Sequence, residues 1–154
     1  MRCNVGVNPY FLTDQWLVAE YRELPMVIGS LRVNNWVIKS EVKSSFCLGA
    51  GHLNFFKPRL SYLYKRHEAV KKEMINRGFK CDALSIDISN SPLMYLNDWT
   101  PTLEDSRLIR NRLAEKITKN KLPITWWRYL RQNLTPFNLD AYLNSIINSE
   151  LYYV

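Results

Sequence analysis

The stretch that decides the fold is Leu12–Leu31, with the sequence LTDQWLVAEYRELPMVIGSL. Its large apolar residues recur every three or four positions, the spacing that places side chains on one face of a helix. Five residues form this face: Leu17, Tyr21, Leu24, Ile28 and Leu31. Thr13 stands just before them and can cap a first helical turn. The pattern predicts a core helix from about Thr13 to about Arg32.

Glu23 lies off this buried face, between two bulky apolar side chains. Trp16 comes seven residues earlier and Met26 three residues later, so helical spacing puts both on the side of Glu23. Pro25 lies inside the same predicted helix, where it cannot donate a hydrogen bond to the Tyr21 carbonyl. We therefore expect a kink beside Glu23, and a carboxylate at such a kink is a candidate functional group.

The composition predicts a folded, basic protein. The chain has 154 residues, a hydrophobic content of 47% and a formal net charge of +7. These values favour a single domain over residues 1–154 and a polyanionic partner, because Lys and Arg release counterions from phosphate backbones. No apolar run reaches bilayer-spanning length, and the N-terminus lacks the basic-then-apolar order of a signal peptide. We expect a soluble, cytoplasmic protein with no membrane partner.

The residues that most often bind metals show no metal-site pattern. The three cysteines, Cys3, Cys47 and Cys81, are widely spaced and contain no CxxC pair. This spacing supports neither a zinc site nor a disulfide framework, and buried thiols are expected. His52 follows two glycines in the run Leu48–His52, LGAGH, where we expect a structural rather than a catalytic role.

A second long helix is predicted from about Pro58 to about Arg77. Proline suits the first turn of a helix, and Gly78 suits the position just after its end. The polar side of this segment is strongly basic and includes Arg66 as well as Arg77. Such a side is predicted to be exposed, and it either contacts phosphates or is simply solvated.

A third helix is predicted over about residues 103–120, and a last amphipathic helix follows Pro136. Thr102 and Asp105 have the spacing of a capping box at the start of the third helix. Its basic residues, three and four positions apart, form a row suited to phosphate contacts: Arg112, Lys116 and Lys119.

Several short blocks occur in a fixed order along the chain: Ala19–Pro25 (AEYRELP), Leu48–His52 (LGAGH), Phe55–Phe56, Arg77–Phe79 (RGF), Arg112–Ile117 (RLAEKI) and Thr125–Trp126. In this order they resemble the small pyrimidine-dimer DNA glycosylase/AP lyase family of phages and bacteria, of the phage endonuclease V type. The similarity extends to about residue 130 and leaves residues 131–154 as an added C-terminal helical segment. The resemblance implies a compact all-α single domain of three main helices, with the N-terminal segment threaded between them.

The resemblance also implies a chemistry. In this family the N-terminal amine attacks C1′ of the target nucleotide, the base leaves, and the resulting Schiff base allows a β-elimination that nicks the strand. The matching positions assign catalysis to Met1, Glu23 and Arg22. They assign DNA contacts to Arg2, Arg112, Lys116, Trp126, Trp127 and Arg128. The implied partner is double-stranded DNA, with no cofactor, no metal and no obligate protein partner.

Three departures from the family pattern fall beside this chemistry. Met1 precedes Arg2 where the family has a small threonine, so the nucleophile aligns with Met1, or with Arg2 if no gap is allowed. Trp16 replaces a histidine and Met26 replaces an arginine. Both of these lie on the Glu23 side of the helix and are assigned to a reshaped substrate pocket.

Three functions therefore remain open. The first is excision of a damaged pyrimidine by base flipping, with the cyclobutane dimer as the family's usual substrate and with strand nicking through the Met1 amine. The second is excision of a hypermodified cytosine of phage DNA, such as a glucosylated one, with or without the nicking step. The third is a helical DNA-binding protein that has lost catalysis.

Overall fold

The computed structural model describes residues 2–81, 84–119, 124–126, 132–133 and 136–154. Its α-helices, in chain order, are α1 (Asp14–Glu23), α2 (Met26–Val33), α3 (His52–Phe56), α4 (Leu60–Asn76), α5 (Leu103–Lys119) and α6 (Pro136–Asn148). Short 3₁₀ turns occur at Pro9–Phe11, Gly49–Gly51 and Leu93–Tyr95.

Strand structure is minimal in the described part of the chain. Two antiparallel segments of two residues each, β1 (Thr125–Trp126) and β2 (Gln132–Asn133), pair with one another. One further isolated bridge joins Arg59 to Leu96. None of the described helices is long and apolar enough to cross a membrane. The predicted all-α fold is confirmed.

The first predicted helix is divided into α1 and α2 at Leu24 and Pro25. Pro25 has no N–H, so the regular hydrogen-bond ladder is interrupted there. The Val27 N–H instead reaches back only three residues, to the Leu24 carbonyl at 3.2 Å, and the regular four-residue spacing resumes when Gly29 donates to Pro25 at 3.1 Å. The prediction of one kinked helix was therefore wrong in detail, because the proline separates two helices.

The buried face predicted from the opening stretch is confirmed. All five of its apolar residues are buried. The Thr13 hydroxyl accepts a hydrogen bond from the Trp16 N–H at 3.4 Å and caps α1 as expected. This face of α1 packs against α4, which is the most extensive helix contact in the described structure.

The N-terminal segment comprises residues 2–12, of which residues 3–7 are threaded between three helices. Cys3, Val5 and Val7 are each 1% exposed or less. Gly6 has a φ of +68°, and a Cβ there would come within 2.5 Å of the Ser106 Cβ on α5. Only glycine fits this close approach without strain. The threading implied by the family resemblance is thus present.

Two arginines that were predicted to be exposed are buried: Arg66 in α4, and Arg77 directly after its end. Arg66 is 0% exposed and Arg77 is 1% exposed. Arg77 donates to the Asp14 carboxylate at 2.9 Å and to the Glu73 carboxylate at 2.7 Å. It also donates to three main-chain carbonyls of residues 9, 10 and 12. A guanidinium is tolerated in a core when its N–H groups are satisfied in this way.

The C-terminal segment packs against α5. The capping box at the start of α5 is confirmed, since Thr102 N donates to Asp105 Oδ2 at 2.8 Å and Asp105 N donates to Thr102 Oγ1 at 3.2 Å. Arg110 of α5 donates to the main-chain carbonyls of Ile147 and Glu150, at 3.1 and 2.9 Å. This side chain fixes the residues that follow α6 against the fold.

Candidate active site

An open cleft of about 830 Å³ lies over the exposed side of α1 and the start of α2. Glu23, Arg22 and Met26 line it where α1 gives way to α2, and Arg2 lines it from the N-terminal segment. The break at Pro25 ends α1 directly after Glu23, so this carboxylate lies at the end of a rigid helix beside the opening.

Arg2 connects two of the predicted site residues. Its Nη1 donates to Glu23 Oε1 in an ion pair, and its guanidinium carbon lies 5.8 Å from the centre of the Trp16 ring. The Glu23 side chain is 25% exposed, so the carboxylate remains accessible from the cleft. The structure therefore brings Arg2, Trp16 and Glu23 together, as helical spacing predicts for Trp16 and Glu23.

A second cavity of about 490 Å³ adjoins the first, since Arg2, Gln15 and Ala19 line both. Its other walls are Trp16 on α1 and three residues of α5, namely Glu115, Lys116 and Lys119. Two ammonium groups, one guanidinium and one carboxylate therefore line a cavity beside Glu23. Their net positive charge suits a phosphate or another electron-rich group.

Of the remaining predicted site residues, two line the larger cleft, one lines neither cavity and three lie outside the described residues. Arg22 and Met26 are exposed on the rim of the larger cleft. Arg112 is half-buried on α5 and lines neither of these two cavities. Met1, Trp127 and Arg128 lie outside the described residues.

Trp126 has a packing role in the described structure. Its indole N–H donates to the Tyr10 carbonyl at 2.8 Å. Its ring meets the rings of Tyr10 and Tyr142 edge to face, at centroid distances of 5.7 and 5.2 Å. These contacts join β1 to the N-terminal segment and to α6, so a contact with DNA stays a prediction for this residue.

Sequence reasoning missed a buried polar network next to the cleft. Glu20, one helical turn before Glu23, is 0% exposed and accepts hydrogen bonds from Asn4 and Arg66. The signal was available, because Glu20 falls between Leu17 and Leu24 on the buried face of α1. A carboxylate in such a position requires a cation and further donors.

His52 has the surroundings of a structural residue. Its Nδ1 lies 2.8 Å from the Cys47 carbonyl, and its Nε2 is buried with no hydrogen-bond partner among the described residues. Burial lowers the pKa of His52, and the positive charge of Arg112 lowers it further. Gly51 allows this arrangement, since a Cβ there would lie 2.7 Å from the Cys47 sulfur.

Among the described residues, no three His, Cys, Asp or Glu side chains are grouped closely enough to hold a metal ion. The three cysteines are free thiols, of which Cys3 and Cys81 are buried and Cys47 is partly buried. The charged groups that line the cleft are the carboxylates of Asp14 and Glu23 and the guanidinium groups of Arg2 and Arg22.

Comparison with known families bears on this same region. A family model described as pyrimidine dimer DNA glycosylase matches residues 2–87, which is more than half of the chain. The match covers the N-terminal segment and α1 to α4, and so includes Arg2, Arg22 and Glu23. It ends before α5, which carries Arg112 and Lys116. The chain belongs to the pyrimidine dimer DNA glycosylase family.

Proposed function

We propose that the chain excises a damaged pyrimidine from double-stranded DNA and then nicks the strand through the amine of Met1. The cyclobutane pyrimidine dimer is the proposed substrate. The observation that carries this proposal is the placement of Glu23 at the end of α1, exposed to an open cleft and paired with Arg2.

The proposed reaction begins with attack of the neutral α-amine on C1′ of the flipped nucleotide. The N-glycosidic bond breaks, and the base leaves with the bonding electrons and a proton from the amine. The C1′–O4′ bond then breaks as the remaining amine proton passes to O4′, which opens the sugar ring and gives an imine between the amine and C1′. Loss of a proton from C2′ then expels the 3′ phosphate by β-elimination. An α-amine suits this role because its pKa is about two units below that of lysine.

Glu23 has two tasks in this scheme. Its carboxylate stabilises the positive charge that develops on the sugar, and it carries protons between the amine, C2′ and solvent. Arg2 and Arg22 are positioned to hold phosphates on either side of the extruded nucleotide. Lys116 and Arg112 extend the same contacts along α5, and Trp126, Trp127 and Arg128 are proposed to contact the strand beyond them.

A hypermodified cytosine is a second candidate substrate, and the cavity behind Trp16 supports it. That cavity opens from the main cleft and is lined by polar groups of Gln15, Glu115 and Lys116. A sugar attached to a flipped base has many hydroxyl groups and could be received there through hydrogen bonds. The two candidates predict different activities on duplexes that carry a dimer or a glucosylated hydroxymethylcytosine.

Substitution of Glu23→Gln tests whether the chain is an enzyme at all. The variant keeps the shape of the side chain but loses the charge, so we expect turnover to fall by roughly 10²–10⁴-fold with DNA affinity nearly unchanged. Glu104→Gln is the matched control, because it removes an exposed carboxylate that lines neither of the two cavities. Equal turnover of Glu23→Gln and the wild type contradicts the proposal. Absence of wild-type activity on both modified duplexes favours a DNA-binding protein without catalysis.

A further inference from the structure

Two carboxylates on α1 hold two residues of the N-terminal segment. Glu23 is paired with Arg2, and Glu20 binds Asn4. The main-chain N–H of Asn4 donates to Glu20 Oε1 at 3.0 Å, and the Asn4 Nδ2 donates to Glu20 Oε2 at 2.7 Å. Both oxygens of one buried carboxylate are thus used to fix one asparagine.

The spacing of these two contacts is the one expected when residues 2–4 run along α1. Alternate residues of an extended chain face the same side and are about 7 Å apart. Residues three apart on a helix are neighbours, with Cβ atoms about 5–6 Å apart. Arg2 and Asn4 therefore reach Glu23 and Glu20 together, with the segment antiparallel to α1. A shift of one residue would place Cys3 against a carboxylate, and its thiol, a weak donor, would be a poor replacement for the Nδ2 group of Asn4.

Arg66 of α4 makes this arrangement rigid. Its Nε and Nη2 donate to the two oxygens of Glu20 at 2.7 and 3.1 Å, and its Nη1 donates to the Val7 carbonyl at 2.7 Å. Burial disfavours charge on Arg66, but the adjacent Glu20 carboxylate outweighs this effect and raises the pKa of Arg66 above its usual value. Arg66 therefore stays charged and holds Glu20 in one orientation.

We propose that Asn4 and Glu20 are positioning residues, which set the register of residues 2–4 along α1 and so hold Arg2 against Glu23, an arrangement that the proposed amine chemistry requires. This inference rests on the proposed amine mechanism. Neither residue touches the reacting atoms. They act because catalysis of this kind depends on placement, and a displacement of about 1 Å can cost roughly 100-fold in rate.

The test compares Asn4→Ala with Asn8→Ala in single-turnover borohydride trapping on a duplex with a preformed abasic site. Asn8 also lies in the N-terminal region, where its side chain caps the 3₁₀ turn by accepting from the Tyr10 N–H at 3.0 Å. Its loss removes one side-chain hydrogen bond from the same part of the chain, away from the two cavities. The rate constant is measured at saturating enzyme, because partial unfolding reduces the amplitude of trapping and not the rate of the folded fraction.

We expect Asn4→Ala to trap about 10 to 100-fold more slowly than the wild type, with its affinity for the abasic duplex changed less than about threefold. Asn8→Ala is expected to keep the wild-type rate constant. Should Asn4→Ala fail to fold, Asn4→Gln keeps the amide but adds one methylene group, which pushes the main chain away from α1, and the same slow rate is expected.

A wild-type rate constant in folded Asn4→Ala or Asn4→Gln overturns the positioning role and leaves the amine mechanism intact. A wild-type protein that traps nothing overturns both, so the two failures are distinguishable. An equal slowing of Asn8→Ala would also overturn the inference, because the effect would then belong to the stability of the whole segment.

Discussion

Gly6 lies where the N-terminal segment passes close to α5. It combines a positive φ with a close approach to Ser106, whereas Gly29 lies exposed in α2, where an added Cβ would have no other atom within 4 Å. Gly6→Ala is expected to lower the free energy of unfolding by roughly 2–4 kcal/mol, from strain and overlap together. Gly29→Ala is expected to raise it by roughly 0.5–1 kcal/mol, because alanine favours helix. Denaturant unfolding of both variants measures the difference, and equal effects would contradict the close packing of the segment.

His52 and His67 make stability depend on pH. Burial lowers the pKa of both histidines from the usual 6.5, so the folded state keeps them neutral. The unfolded chain takes up protons below about pH 6.5, and the free energy of unfolding therefore falls as the pH drops from 6.5 towards the lowered pKa values.

Denaturant unfolding at pH 7.5, 6.5 and 5.5 measures this pH dependence. His52→Asn should keep a donor near the Cys47 carbonyl while removing one titrating group, so its stability should vary less with pH than that of the wild type. A wild-type stability that rises on acidification, or an unchanged pH dependence in His52→Asn, would contradict this account.

At the scale of the element, α5 offers a direct test of helix capping. Asp105 accepts from the main-chain N–H and from the hydroxyl of Thr102, and both acceptor distances are 2.8 Å. Asp105→Ala is expected to cost about 1 kcal/mol. Glu104→Ala removes the same charge from the same first turn and should cost only roughly 0.3 kcal/mol. Thermal unfolding compares the two, and equal losses would mean that charge near the helix start matters rather than the capping box.

The helices also show which structural features can be predicted from the sequence. The helix starts at Thr13 and Thr102 were predictable, because capping depends on residues close together in the chain. The sequence predicted a disturbance at Pro25, because proline lacks a hydrogen-bond donor. It did not predict two separate helices, because that outcome depends on the residues that pack around Pro25. Gly78 was correctly placed after α4, with a φ of +76°.

Burial of Arg66 in α4 and of Arg77 at its end was missed for a different reason. Basic residues on a helix are usually solvated, yet Arg66 and Arg77 share the buried face with Leu63 and Val70 at spacings of three, four and seven. Their partners, such as Glu20 on α1, are distant in sequence. Glu23 was predicted as a candidate because the residues that single it out, Trp16 and Pro25, are close to it in the sequence, whereas the buried network around Glu20 required the tertiary structure.

At the scale of the whole molecule, the net charge of +7 should make DNA binding strongly dependent on salt. Lys116 faces the cavity beside Arg2, and Lys72 lies by another cavity, near Asn8 and Tyr152. Lys116→Gln is expected to weaken binding and to reduce the slope of log Kd against log salt by about 0.9, the loss of one phosphate contact. Lys72→Gln should leave the slope nearly unchanged. Equal slopes for Lys116→Gln and the wild type would mean that Lys116 contacts no phosphate and that the DNA binds to another part of the surface.

Catalysis by the N-terminal amine is tested by borohydride trapping with peptide mapping on duplexes that carry a cyclobutane dimer, a glucosylated hydroxymethylcytosine or a preformed abasic site. We expect a covalent adduct on the α-amine of Met1, formed with the dimer duplex and with the abasic duplex. An adduct that forms with the abasic and modified-cytosine duplexes but not with the dimer duplex would identify the modified cytosine as the substrate. It would leave catalysis by the N-terminal amine in place. No adduct even with the abasic duplex, or an adduct on a lysine, would contradict catalysis by the N-terminal amine.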